Sequence, residues 1–391
     1  QRTLAAIKTK KNQEMRLRST VFTALLASLL IPTAYAGDLP KTAIPLALQD
    51  GTVDPDGKTV WYDAQTLGIE GQGWEDTEST YDRLPQKAKG VVPQRVWNYG
   101  RFPAGLSVRF ATDAETVRVR WTLSDEKHNF AHISDIATSG IDLYYRNEQS
   151  GKFRYTHADF RTFTPKKLVN TTFFDLPESQ EYELNLPTYR ILDRLEIGVP
   201  KGKTLAKFPP RDLSKGIVFY GTSITQGGNA SRPGLSAVTM VRRKLDVPVV
   251  NLGICGNGKM EIEMAELIAE LDPAVYVVDC LWNMNMRHVS ERVEPFIRKL
   301  RETRPNTPLI LAEDSHYNDL PTEKGDIVRK VVEKLVAEGD KNLYFLPNKG
   351  MLGDDGDGVV EDRHPNDLGL YRQAEVFVKF LSPILETTNS N

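Results

Sequence analysis

Four short blocks in the second half of the chain carry the residue types that acyl transfer needs. Gly221-Thr222-Ser223-Ile224-Thr225 offers a hydroxyl nucleophile, Ser223. Gly253-Ile254-Cys255-Gly256-Asn257-Gly258 offers backbone amides in a glycine-rich turn. Trp282-Asn283-Met284-Asn285 offers a side-chain amide, Asn283, with Asn285 as its competitor. Glu361-Asp362-Arg363-His364-Pro365-Asn366 offers an imidazole, His364, with two acids beside it. A nucleophile, a base, an acid that fixes the base's tautomer and donors for an oxyanion are the parts of a serine hydrolase.

Each candidate has a plainer role to set beside this one. Ser223 could cap a helix, although Thr222 or Thr225 would cap equally well. His364 could pair locally with Glu361 at the surface. His316, in Asp314-Ser315-His316, is a rival base and a candidate to line the pocket, as are Trp282 and Arg83. The glycines could serve only a tight turn. Either Glu361 or Asp362 could orient His364. Asp354-Asp355-Gly356-Asp357-Gly358 is too short for an EF-hand loop and reads as a solvated turn. With two cysteines, Cys255 and Cys280, and no ligand spacing, neither zinc nor a disulfide is expected. The loop from Gly71 to Gln94, with Trp74, Tyr81 and Arg83, is a candidate cover for the mouth of the site.

These blocks need elements to hold them. Short apolar runs at Gly216–Tyr220, Val247–Leu252, Ala274–Asp279, Pro308–Glu313 and Asn342–Leu346 alternate with helical stretches. The helical stretches are Leu235–Leu245, Met260–Leu271, Val289–Arg301, Asp326–Ala337 and Leu368–Leu381, the last stopped by Pro383. That alternation predicts a three-layer α/β domain with a flavodoxin-like parallel sheet over 211–386. Sites in such sheets lie at the carboxyl ends of the strands, where the first three blocks fall. From about Gly37 to Pro210 the pattern instead alternates at period two, as in Val117-Arg118-Val119-Arg120-Trp121. This predicts half-buried antiparallel strands over 37–210, closing as a jelly-roll-like β-sandwich. The tail 387–391 is expected to fray.

The N-terminus has its own logic. Met15-Arg16-Leu17-Arg18 precedes an apolar run from Val21 to Ile31 and the small-residue site before Gly37. Met15–Ala36 therefore reads as a secretory signal peptide behind an upstream remnant, 1–14, and the protein as secreted or periplasmic. The apolar run is too short to span a bilayer, and no other segment is apolar enough. Residues 1–36 hold six basic residues and one acid, so the net charge of −2 becomes −7 for the remainder. That balance gives no footprint for nucleic acid.

At the four blocks the chain resembles the SGNH, or GDSL-like, hydrolase superfamily, with Gly-Thr-Ser in place of the usual Gly-Asp-Ser. Gly140-Ile141-Asp142-Leu143-Tyr144, together with Tyr81-Asp82-Arg83-Leu84-Pro85 and Val96-Trp97, resembles the Gly-x-Asp-Leu-Tyr β-domain that precedes one SGNH branch. The resemblance spans about Trp61 to Phe380. It implies a Ser223–His364 pair with the acid three before the histidine, which favours Glu361 over Asp362. It also implies an oxyanion hole of Ser223, Gly256 and Asn283, and no cofactor. That branch is similar to bacterial carbohydrate esterases, so the implied substrate is an acetylated glycan. A lipase, lysophospholipase or thioesterase on the same residues, or a carbohydrate-binding protein with an inactive hydrolase domain, are the alternatives.

Overall fold

Five strands, the first four buried throughout, form a parallel sheet in the second half of the chain: β1 (Ile217–Gly221), β2 (Val249–Gly253), β3 (Val275–Asp279), β4 (Leu309–Ala312) and β5 (Leu343–Leu346). The order is β2-β1-β3-β4-β5, the flavodoxin-like arrangement. The structure is a computed structural model and describes residues 38–124, 130, 132–159 and 168–389. The expected signal peptide lies outside the described residues.

Alternate strand residues face opposite layers. Ile217 and Phe219 pack with α2 (Ala237–Leu245) and α6 (Asp367–Asn389) on one face. Val218 and Tyr220 pack with α3 (Ile262–Ile268), α4 (Met286–Thr303) and α5 (Glu323–Ala337) on the other. The helix expected to stop at Pro383 runs through it to Asn389, so the tail is helical further than expected. Losing one N–H costs less than unpacking Leu381 and Leu385, both buried in the core beneath α6. In register, Gly221 lies opposite Gly253 on β2 and Asp279 on β3. The chain segments carrying the first three sequence blocks thus leave the sheet side by side.

The first half forms two antiparallel sheets. One has Ser107–Thr112 and Gln180–Asn185 at its centre, flanked by Asp142–Arg146 and Leu205–Lys207. The other centres on Val117–Leu123 and Leu192–Pro200. Their inward side chains, among them Val108, Phe110, Val119, Trp121, Tyr182, Leu184 and Ile197, share one core.

The segment 71–100 departs from expectation. Trp74, Leu84, Val92, Val96 and Trp97 are buried against Val250, Leu252 and α3, inside the core of the parallel sheet. Arg83 is buried there too and donates to the carbonyls of Phe102 (2.5 Å), Tyr99 (2.7 Å), Asn251 (2.8 Å) and Gly253 (2.9 Å). Burial pulls its guanidinium down to about 9, still charged at neutral pH. Arg83 is therefore a clamp on the end of β2, not a pocket residue, and the Gly71–Gln94 loop does not cover the mouth of the site. A guanidinium satisfies its fixed fork of donors with carbonyls as readily as with a substrate.

The Gly-x-Asp-Leu-Tyr motif also works across the two parts. The fully buried Asp142 carboxylate accepts from Asn185 (2.8 Å) on its own side, and from Arg232 (2.8 Å) and the Gly234 amide (2.9 Å) on the other. Arg232 also donates to the Tyr144 hydroxyl at 2.5 Å. Glu183 accepts from Arg242 at 2.9 Å. Burial pushes the Glu183 carboxyl up, but Arg242, Arg243 and Arg211 outweigh it and hold it below its ordinary value. Asp38–Asn391 accordingly forms one compact unit. Among the described residues no helix is long and apolar enough to cross a membrane.

Candidate active site

The nucleophile candidate sits where β1 turns into a helix of one turn. Thr222 is the N-cap, its hydroxyl accepting from the Ile224 amide, and the Thr225 hydroxyl accepts from the Thr222 amide in return. This reciprocal cap releases Ser223 from the capping role and places it at the first position of α1 (Ser223–Gln226), 8% exposed. Beneath it, Asp279 accepts from Thr225 Oγ1 at 2.9 Å and from Trp282 Nε1 at 2.7 Å. Burial pushes the Asp279 carboxyl up to about 7, against the pull of those two donors.

Ser223 Oγ lies 3.2 Å from His364 Nε2. On its other side the His364 ring hydrogen-bonds through Nδ1 to Glu361 Oε1, which also accepts the His364 backbone N–H at 3.0 Å. Glu361, not Asp362, therefore meets the imidazole. Partial burial pushes the Glu361 carboxyl up, but hydrogen bonds from Asp362 and His364 outweigh it and hold it down at about 2. Asp362 moves the opposite way, raised first by its hydrogen bond to Glu361 and then by desolvation. Two adjacent carboxyls cannot both ionise freely, and here the one on the histidine keeps the charge. A narrow hairpin fixes the loop, with Val360 N–H donating to His364 O at 2.8 Å. Asn366 accepts from Leu368 and Gly369 at the start of α6.

The glycine turn after β2 presses on the nucleophile helix. A Cβ on Gly253 would stand 2.1 Å from the Gln226 nitrogen, and one on Gly258, which has φ +67°, 2.0 Å from Gly221 O. No hydrogen bond among the described residues takes up the Gly256 N–H or the Ser223 N–H. Asn283 donates from Nδ2 to Asn257 O at 2.6 Å, tying the third block to this turn. Its competitor Asn285 caps α4, accepting from His288 N at 2.9 Å.

The remaining sequence candidates fall as follows. Trp282 is 5% exposed and packs with Ile224 and Leu352 beside the nucleophile, a wall rather than an open platform. His316 is half-buried after β4 and lies near enough to Asp362 to act on it electrostatically. Asp355 in the Asp-Gly turn pairs in bidentate fashion with Arg372, at 2.8 and 2.7 Å. Cys255 and Cys280 are free thiols. Among the described residues no cluster of His, Cys, Asp and Glu is arranged to hold a metal ion.

Three contributors were not foreseen, and all involve the first half of the chain. The Tyr189 hydroxyl donates to Ser223 O at 3.2 Å. Gln226 donates to Thr188 O at 2.8 Å and accepts from the Cys255 amide at 3.0 Å, bridging the β-domain, the nucleophile helix and the glycine turn. The His132 ring lies 6.1 Å, centroid to centroid, from His364. Single residues in non-periodic segments leave no sequence signal of such long-range partnership.

Comparison with known proteins follows the same division of the chain. Residues 214–382 match the GDSL-like lipase/acylhydrolase family, and residues 59–205 match the N-terminus of SGNH-hydrolase-type esterases. No curated protein matches the chain. Among solved structures, a protein described as a GDSL-like lipase from Bacteroides ovatus is 29% identical, with a TM-score of 0.76, over 84% of this chain and 98% of its own. A salicylyl-acyltransferase of a tetracycline biosynthetic pathway is 19% identical, with a TM-score of 0.65, over 88% and 98%. A family two carbohydrate esterase from Clostridium thermocellum, solved with cellohexaose, is 14% identical, with a TM-score of 0.50, over 73% and 98%. The last two likenesses concern the fold.

Proposed function

From the match of residues 214–382 to the GDSL-like lipase/acylhydrolase family and of residues 59–205 to the N-terminus of SGNH-hydrolase-type esterases, we propose that the chain is a serine esterase removing O-acetyl groups from a carbohydrate. The observation that carries the esterase mechanism is the continuous relay from Ser223 Oγ through the His364 ring to Glu361. Glu361 accepts Nδ1–H, which leaves Nε2 free to take the Ser223 proton as Oγ attacks the acetyl carbonyl. The tetrahedral oxyanion forms against the Ser223 and Gly256 amides and the Asn283 amide. His364 then returns the proton to the departing sugar oxygen as the C–O bond breaks. Water, activated by the same histidine, hydrolyses the acetyl-Ser223 ester and releases acetate.

Two features support a short acyl group and a sugar leaving group. Ile224, Trp282 and Leu352 close together beside the nucleophile, each no more than 5% exposed, which leaves little room there for a long chain. The same fold also serves a carbohydrate esterase. We further propose that Met15–Ala36 directs export, so that the exported protein begins at Gly37. N-terminal sequencing of the secreted or periplasmic protein tests this.

The activity test compares acetate release from acetylated oligosaccharides with hydrolysis of aryl esters of increasing acyl length. The expected result is release of acetate and a steep loss of activity beyond short acyl groups. A preference for octanoyl over acetyl esters would overturn the carbohydrate assignment in favour of a lipase.

A further inference from the structure

Two separate side-chain clusters border the nucleophile. One belongs to the parallel-sheet half and is the buried group of Ile224, Trp282 and Leu352. The other is built largely by the antiparallel half. Phe130 meets the Tyr189 ring edge-on, with centroids 5.1 Å apart, and both pack with Ile133 and with Cys255, the residue before Gly256. Tyr189 reaches the backbone of the nucleophile itself, its hydroxyl donating to Ser223 O at 3.2 Å. At the other end stands His132, its ring centroid 6.1 Å from that of Phe130 and 6.1 Å from that of His364. This second wall therefore runs from the catalytic imidazole, by way of the Ser223 backbone, to the glycine turn.

The chain fixes His132 where it stands. Ile133 is buried, and Ser134 caps the helix Asp135–Ser139, accepting from Ala137 N at 3.1 Å and donating to Ser231 O at 2.5 Å. Ser231 N donates in turn to the Asp367 carboxylate at 2.8 Å, and Asp367 opens α6 just after the His364 loop. The Thr188 and Tyr189 amides donate to the carbonyls of Ala137 and Thr138, at 3.0 and 3.2 Å. The His132 ring is nevertheless exposed, and among the described residues nothing hydrogen-bonds to its nitrogens. An exposed histidine is ordinary on a surface, but this one is an open imidazole on an anchored segment, beside the catalytic imidazole.

His364 gives Nδ1 to Glu361 and Nε2 to Ser223, so the oxygen that departs with the returned proton must lie at Nε2. The contacts beyond His132 lead through Phe130 and Tyr189 back to Ser223, which is the Nε2 end of the ring and not the Glu361 end. A sugar leaving from there carries a further hydroxyl on the carbon next to the departing oxygen. A neutral imidazole offers such a hydroxyl one donor and one acceptor. We propose that His132 is a specificity-determining residue that hydrogen-bonds a hydroxyl of the departing sugar, beside the oxygen that His364 protonates. The inference rests on the esterase reading above and adds the residue, supplied by the antiparallel half, that reads the saccharide. An aryl leaving group has no such hydroxyl, and this separates the two kinds of substrate.

The test measures kcat and KM for His132→Ala and His132→Gln on acetylated xylo- and manno-oligosaccharides, 4-nitrophenyl acetate and 4-nitrophenyl octanoate. The expected result for His132→Ala is a fall of about tenfold in kcat/KM on the oligosaccharides, the worth of one hydrogen bond, with 4-nitrophenyl acetate held within about twofold. The ratio of the two falls accordingly. His132→Gln keeps a donor and an acceptor and should recover most of that ratio. A residue that merely supported the fold, or acted through His364, would lower both acetyl esters together, so an unchanged ratio in His132→Ala overturns the proposal. A selective loss on the octanoate ester places His132 against the acyl group and overturns it as well. If the unsubstituted enzyme releases no acetate from any oligosaccharide yet hydrolyses the aryl acetate, the carbohydrate reading itself fails and takes this role with it.

Discussion

Replacing Glu361 by Gln keeps the shape of the acid and removes its charge. The charge matters because His364 becomes an imidazolium in each transition state, with Glu361 Oε1 on its Nδ1. At contact distance, in a surface-like dielectric, such a pair attracts by about 4 kcal/mol. Glu361 is 45% exposed and His364 31%, so water takes roughly half of that, leaving about 2 kcal/mol. That alone is about thirtyfold in kcat. Gln can also present its N–H to Nδ1 and select the wrong tautomer, which carries the total to about 10²–10³-fold. Asp362→Asn touches no atom of the imidazole and should cost no more than about threefold. The assay is kcat on 4-nitrophenyl acetate for both variants, with circular dichroism to confirm the fold. Because Glu361 sits at about 2, it is ionised throughout the working range, so any acid limb of the profile belongs to another group. The reverse ranking would move the orienting role to Asp362. Small effects from both would leave a serine–histidine dyad and refute the electrostatic argument.

Three further perturbations have defined outcomes. Ser223→Ala should reduce kcat by about three to six orders of magnitude with the melting temperature intact, and a serine-directed phosphonate should label only the unsubstituted protein. Asp142→Ala strands the Arg232 guanidinium, 17% exposed, and should cost about 3 kcal/mol, seen as a fall of roughly 3–6 °C in calorimetry. No change there would mean the motif does not fasten the two parts. Asp279→Asn tests the buried carboxyl. Its folded pKa of about 7 lies above the ordinary 3.8, so the folded state holds a proton that the unfolded state releases. Stability from this group is complete below the ordinary value and is lost as pH rises toward 7. The variant should therefore gain stability relative to the unsubstituted protein between pH 5 and pH 8, and a constant difference would contradict the burial argument.

Much of this was legible because burial writes itself into the sequence. The five parallel strands are continuous apolar runs, so their ends, and the blocks attached to them, could be located from the residues alone. The choice between Glu361 and Asp362 depends on where two adjacent carboxyls point, which spacing restricts but does not decide. Arg83 was misassigned because a buried guanidinium held by four carbonyls looks, in sequence, like a polar loop residue. The role of 71–100 was hidden for a related reason. Its apolar residues follow neither a strand nor a helix period, since they answer to the surface of a sheet formed more than a hundred residues later.

That last feature bears on how the chain acquires its structure. Synthesis proceeds from the N-terminus, so Trp74, Leu84, Val96 and Trp97 emerge well before β2, α3 and α4 exist to cover them. The two antiparallel sheets can close around their own core in the meantime, but this apolar flank must wait in water. Completing it requires contacts of long sequence separation, whose loop-closure entropy is met before any packing reward arrives, and folding is correspondingly slow. The waiting flank is where a holdase chaperone would act, and where aggregation competes if synthesis halts before the parallel sheet is complete.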